Sequence, residues 1–147
     1  MFNSILVICT GNICRSPYAE KKLKQLLPGK MITSAGVATT KSKLDNAPAD
    51  AEAIAVANEF DIDISQHRAK QVTQSLIDEY DLILAMERNQ LDLLCEDFPT
   101  ARHKGFLFGH WVGMSVIEDP YQKGQHAFRQ AYTNIDNAAL AWARKIG

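Results

Sequence analysis

Val7-Ile8-Cys9-Thr10-Gly11-Asn12-Ile13-Cys14-Arg15-Ser16-Pro17 takes an apolar strand into a short loop and the loop into a helix. The run that ends at Cys9 has almost no polar interruption, as expected of a strand buried on both faces of a parallel sheet. Pro17 stands where a helix accepts proline, in its first turn. Five residues separate Cys9 from Arg15, enough to curl the backbone until successive N–H groups converge on an anion at the helix N-terminus. A phosphate fits such a bowl.

The same residues carry chemistry. A thiol beside a helix N-terminus and a guanidinium ionises more readily than an isolated one, and the thiolate is the nucleophilic form. Cys9 is the candidate nucleophile. Arg15 offers a planar fork that can hold two phosphoryl oxygens, which a lysine cannot reproduce. Ser16 can donate its hydroxyl to the sulfur, Gly11 permits a left-handed turn, and Asn12 can bond the loop's own backbone. Singly, these residues have plainer readings, since free cysteines are mostly inert core residues and Gly-Asn is an ordinary turn. Their order, from strand to Cys, Gly-Asn, Arg-Ser-Pro and helix, favours chemistry. A nucleotide-binding phosphate loop is set aside, because its paired glycines and lysine are absent.

The stretch Cys9 to Pro17 resembles the phosphate loop of the low-molecular-weight protein tyrosine phosphatases. The resemblance covers essentially the whole chain, with Ser34-Ala35-Gly36, His67-Arg68-Ala69-Lys70-Gln71 and Asp119-Pro120-Tyr121 in the family's order. It implies Cys9 as nucleophile, Arg15 as phosphate clamp, Ser16 as thiolate stabiliser, Asn12 as loop brace and Asp119 as general acid. Thr10, Gly11, Ile13 and Cys14 complete the implied phosphate-binding loop, and Ser34 and His67 match positions that brace the asparagine. Tyr121 and Thr40 match the substrate slot and its mouth; Thr40 stands where many relatives place a tryptophan, and Gln122 where many carry a second aromatic. Cys14 is implied to resolve a sulfenic acid on Cys9 as a disulfide. No cofactor is implied. Phe108-Gly109-His110-Trp111 and the single tyrosine after Asp119-Pro120 point to bacterial members that act on the tyrosine-rich tail of a membrane kinase controlling capsule or exopolysaccharide export. The implied partner is thus a phosphotyrosyl protein.

Length and composition agree with an enzyme of this kind. A chain of 147 residues, 46% apolar, suits one domain over residues 1–147. A net charge of −1 gives no overall pull toward nucleic acid or an anionic membrane. The apolar run before Cys9 is too short to span a bilayer and no basic leader precedes it, so a cytoplasmic location without membrane insertion is expected. Three cysteines then argue for reduced thiols rather than a disulfide framework. Cys95, on an apolar helix face, reads as core. His103, His110 and His126 lack metal-ligand spacing, and no metal is expected.

Strands are expected at Ser4–Cys9, Met31–Ala35, Leu82–Ala85 and Phe106–Phe108. Between them fall a helix ending before Pro28-Gly29, one starting at Pro48 with Asp45 or Asn46 near its cap, Gln74–Tyr80 capped by Thr73, and Arg88–Asp97 stopped by Pro99. A last helix spans Gln125–Lys145. This alternation implies an α/β fold: an open parallel sheet of about four strands with helices on both faces and the first strand central. The phosphate loop then lies between that strand and the first helix, at the binding crevice. Gly109–Gly124 shows no period and reads as a functional loop. Asp119 in that loop could swing over the bowl, and protonating a phenolate whose acid has a pKa of about 10 is worth roughly 10²–10⁴ in rate.

Four functions could use such a bowl. The favoured one is a phosphomonoesterase acting through a cysteinyl-phosphate. An arsenate reductase would need a further cysteine pair near residues 80–90, where this chain has none and Cys95 stands alone. A phosphoarginine phosphatase is resembled less, since those relatives carry threonine where Ile13 stands. A non-catalytic phosphate-binding module would have no use for Cys9.

Overall fold

In the computed structural model, which describes residues 2–147, Ser4–Cys9 form β1 with every side chain buried. Alternation along the strand sends Ile5, Val7 and Cys9 into one core and Leu6 and Ile8 into another, so neither face can tolerate a charge. β2 (Met31–Gly36) and β3 (Leu82–Ala85) pair with β1 on either side, and β4 (Gly105–Leu107) pairs with β3. The sheet is parallel throughout, in the order β2-β1-β3-β4. Strand order reverses at β1, and the crevice beyond the carboxyl end of such a strand is where open α/β sheets place their ligands.

Helices cover both faces. α1 (Arg15–Leu26), α2 (Ala51–Glu59) and α5 (Gln125–Ile146) close over Ile5, Val7 and Cys9. α3 (Gln74–Glu79) and α4 (Arg88–Asp97) close the other face through Ile77, Leu91 and Leu94. The first core contains an aromatic brace in which Tyr18 of α1 and Tyr132 of α5 stack with centroids 3.9 Å apart, and Phe60 meets both rings edge-on. Each buried hydroxyl has a partner: Tyr18 donates to Asp136 at 2.7 Å and Tyr132 to the Cys14 carbonyl at 2.8 Å. The brace therefore reaches the phosphate loop. Among the described residues no helix is long and apolar enough to cross a membrane.

The expected elements are present, with shifts at their ends. α2 starts at Ala51, beyond Pro48, and its cap is Asp50, which accepts from the N–H groups of Glu52 and Ala53. Asn46 and Ala47 cannot join the helix because their backbone groups pair with Ala69. β4 begins and ends one residue earlier than its apolar run, and Phe108 instead donates its N–H to the Ala85 carbonyl at 2.7 Å as the chain leaves the sheet. Pro99–His103 and, within the stretch expected as a loop, His110–Val112 are short 3₁₀ turns. Cys95 is half-buried and lines a surface cavity with Arg88 and Arg102.

Gly36 shows how closely the sheet meets the Cys9–Arg15 loop. It pairs with Cys9, and a Cβ added there would collide with the Thr39 hydroxyl and lie 2.7 Å from the Thr10 carbonyl oxygen. Gly36→Ala is therefore expected to destabilise by about 1–3 kcal/mol, read as a lowered urea midpoint, and to lose activity because the displaced backbone belongs to the loop. An unchanged midpoint would mean that the loop can retreat from β2.

Candidate active site

Cys9 ends β1 with its sulfur at the floor of the bowl, only 3% exposed. Two donors converge on it: the Asn12 N–H at 3.3 Å and the Ser16 hydroxyl at 2.8 Å. Ser16 Oγ accepts from Asn12 Nδ2 at 2.8 Å and keeps its single proton to donate to a Cys9 thiolate, which has none of its own. Both contacts favour negative charge on Cys9.

Asn12 organises this arrangement from a left-handed backbone, φ 60°. Its Nδ2 also donates to Ser34 Oγ at 3.0 Å, and its Oδ1 accepts from the Lys70 N–H at 3.0 Å, which fixes which end of the amide is oxygen. His67 Nε2 lies 2.6 Å from the Asn12 carbonyl. A carbonyl can only accept, so that nitrogen carries the proton. The Ser34 hydroxyl donates in turn to Glu20 at 2.6 Å, and Lys24 donates to the same carboxylate at 2.8 Å. A chain of hydrogen bonds thus links Glu20 to the sulfur, donated outward from the Asn12 amide in both directions, through Ser34 to Glu20 and through Ser16 to Cys9.

The first turn of α1 has no side-chain cap and no acidic residue. Its unpaired N–H groups and positive dipole end are left for an anion. Arg15 occupies the first helical position, where the dipole disfavours a cation. It is held there, 3% exposed, by the Ile117 carbonyl at 2.8 Å and by Glu87 and Asp119, each 3.9 Å away. The loop is also tied from outside, because Asp50 N–H donates to the Ile13 carbonyl at 2.9 Å and Tyr132 to that of Cys14.

Cys9, Arg15 and Asp119 face one cavity of about 280 Å³, whose walls include Ile13, Leu44 and Tyr121. Asp119 is half-exposed at its rim, with Oδ1 accepting the Tyr121 N–H at 3.1 Å and Oδ2 turned toward Arg15. Thr10, Gly11 and Cys14 complete the lining. Burial pushes the Cys14 thiol far above its ordinary value, with Asp50, Cys9 and Asp119 acting in the same direction and Arg15 opposing them, so Cys14 stays protonated beside Cys9.

Thr40 is the expected site residue that the fold does not bring to the cavity. Its hydroxyl binds both oxygens of Asp45 at 2.9 Å and its N–H binds Gln71 at 3.0 Å, so the loop's wall comes from Ser42 and Leu44. Sequence reading also missed Glu20, Asp50, Glu87 and Tyr132. Of these only Glu87 had a positional signal, since it follows β3 at the carboxyl edge of the sheet, where site residues gather.

A family model for low molecular weight phosphotyrosine protein phosphatases matches residues 4–147. The chain belongs to that family. Among solved structures, Vibrio vulnificus Wzb in complex with benzylphosphonate superposes with a TM-score of 0.97 at 50% identity, covering 99% of this chain and 100% of that one. A probable low molecular weight protein-tyrosine-phosphatase, AmsI of Erwinia amylovora, is 43% identical over 99% of both chains. The YwlE arginine phosphatase from Geobacillus stearothermophilus is more distant, at 32% identity and a TM-score of 0.88 over 99% of this chain and 93% of its own.

His67 gives this phosphatase a pH-dependent brace. Burial pushes the imidazole below its ordinary value, although its bond to Asn12 and the Glu20 carboxylate pull upward; Lys70 and Lys21 add to the lowering. A depressed folded-state value means that the unfolded chain takes up the proton first. The stabilisation is complete above the unfolded value of about 6.5 and is lost as pH falls below it. The urea midpoint should therefore fall between about pH 7.5 and 5.5, and by less in His67→Gln, whose amide can still donate to Asn12. An equal fall in both proteins would assign the effect to other groups.

Proposed function

We propose that the chain hydrolyses phosphotyrosine in proteins through a cysteinyl-phosphate intermediate. One observation carries the reading: the Cys9 sulfur, the Arg15 guanidinium and the Asp119 carboxyl share one cavity beside an uncapped helix start. The Cys9 thiolate attacks phosphorus as the phosphorus–oxygen bond to the phenol breaks, and Asp119 in its acid form gives the leaving oxygen its proton. Arg15 and the loop N–H groups hold the equatorial oxygens meanwhile. Asp119, now a carboxylate, takes a proton from water as that water attacks phosphorus. Phosphate leaves and the thiolate is restored.

The depth of Cys9 favours a phosphate on a long, flat stem, and Ile13, Leu44 and Tyr121 offer apolar surface to an aromatic ring. These walls suit a phenyl ester better than a charged guanidino group, which argues against phosphoarginine. Cys95 packs on the opposite side of the sheet from Cys9 and lines a different cavity, so it is badly placed to relay a disulfide in an arsenate reductase. Cys14 lines the same cavity as Cys9 and can condense with a sulfenic acid on Cys9, forming a disulfide and water. From the sequence resemblance we infer that the target is the tyrosine-rich tail of a membrane kinase in capsule or exopolysaccharide export.

Phosphate release from a phosphotyrosyl peptide should vanish in Cys9→Ser while vanadate still binds, because the bowl and Arg15 remain. Asp119→Asn should lose roughly 10²–10⁴ on phosphotyrosine and much less on esters of acidic phenols, whose leaving groups need little protonation. A uniform loss across leaving groups would make Asp119 a positioning residue. For the target, the phosphorylated kinase domain should be dephosphorylated faster than an unrelated phosphotyrosyl protein; equal rates would reject the pairing and leave the activity standing.

A further inference from the structure

Among the described residues, five other than glycine take the left-handed backbone region: Asn12, Lys43, Asn46, Asp61 and Gln122. Asn and Asp enter it readily; lysine and glutamine seldom do. Lys43 and Gln122 also share a location. Lys43 stands between Ser42 and Leu44, Gln122 follows Tyr121, and those three neighbours all line the catalytic cavity. The backbone at both places is held by turns, with Lys43 N–H on the Thr40 carbonyl at 3.0 Å, Leu44 N–H on that of Thr39 at 2.9 Å and Lys123 N–H on that of Pro120 at 3.0 Å. Both side chains are exposed, so packing does not select them. An uncommon conformation kept twice at one rim points to function rather than to folding.

Charge points to the same rim. Of the ten lysines, Lys22, Lys24, Lys30, Lys70 and Lys104 bind an oxygen through the ammonium group, and Lys145 sits over the Trp111 ring. Of the four without such a partner among the described residues, Lys41 and Lys43 flank cavity-lining residues and Lys123 stands two positions after the cavity-lining Tyr121. Asp45, bound by the neutral Thr40 hydroxyl, keeps its charge and offsets one of Lys41 and Lys43, while Glu118 and Asp119, the latter shared with Arg15, lie on the Lys123 side. The positive surplus is therefore greatest at Lys41 and Lys43.

We propose that Lys41, Lys43 and Lys123 form a cationic rim that selects phosphotyrosines flanked by anionic groups. The proposal rests on the phosphatase reading above and names its substrate class. The bowl takes the phosphotyrosine itself, and the rim meets what lies beside it: a carboxylate from Asp or Glu, or a second phosphoryl group on a neighbouring tyrosine. Cations around a concave site speed encounter with anionic partners, and salt suppresses the effect.

The test compares kcat/KM for p-nitrophenyl phosphate and for three phosphotyrosyl peptides of equal length, flanked by glutamates, by lysines or by a second phosphotyrosine. At low ionic strength the anionic flanks should be preferred over lysines by about tenfold, and the preference should shrink in about 1 M salt, where screening reaches within ~3 Å. K41Q/K43Q/K123Q should lose the preference. Lys43→Gly should lose part of it while melting at the same or a higher temperature, since glycine suits the left-handed position. Rates on p-nitrophenyl phosphate, which has no flank, should match in all three proteins. Equal gains from both anionic flanks would assign the preference to charge alone, and a gain confined to the second phosphotyrosine would narrow the class to phosphoryl groups. Indifference of the wild type to flanking charge, or a preference retained in the triple variant, would overturn the rim. Inactivity of the wild type on p-nitrophenyl phosphate would overturn the phosphatase reading and the rim with it.

Discussion

The left-handed backbone of Asn12 is the constraint on which the rest of the site depends. It aims the residue's own N–H at the Cys9 sulfur, and it is held by contacts from α1, from β2 and from the segment His67–Lys70. Asparagine serves here twice over, because it tolerates this conformation and because its short amide uses both donor protons and its oxygen at once. Glutamine would carry the amide one methylene past Ser34 and the Lys70 N–H. Glycine would accept the backbone and abandon three polar groups, the Ser16 and Ser34 hydroxyls and the Lys70 N–H, each costing about 1–3 kcal/mol when buried without a partner. Such a network is kept whole or lost.

Electrostatics in the bowl runs against ordinary helix design. α1 starts without a cap or an acidic first turn and with an arginine at its first position, three features that each weaken an isolated helix. Tertiary structure offsets them through Ile117, Glu87 and Asp119 around Arg15, and through the Tyr18–Tyr132 brace that fastens α1 to α5. Stability is drawn from the core so that the helix start can stay unsatisfied, which is the usual relation between a folded scaffold and a reactive site.

The parts of this architecture that were legible in the sequence are those with a local cause. β1 could be read because a strand covered on both faces must be apolar throughout, and the Cys9–Arg15 loop because residue type and spacing together specify a bowl. The start of α2 was misread because Asn46 and Ala47 are claimed by Ala69, a pairing across the chain that leaves no local trace. Thr40 failed for a similar reason, as its bonds to Asp45 and Gln71 decide where its side chain goes. Glu20 and Tyr132 act through partners distant in sequence, and a lone acid or tyrosine on an amphipathic helix looks like any other.

The uncapped start of α1 has a kinetic consequence. Inorganic phosphate, the product of the proposed reaction, has the shape and charge that complete those N–H groups and neutralise Arg15. Each turnover therefore ends with the enzyme occupied by the ion it has just made, and the next cycle waits on its departure. Free phosphate in the surroundings also stabilises the folded chain by mass action while competing with the ester for the bowl. Resistance to unfolding and freedom to turn over thus respond in opposite directions to one solute, a built-in product brake that follows from leaving a helix unfinished.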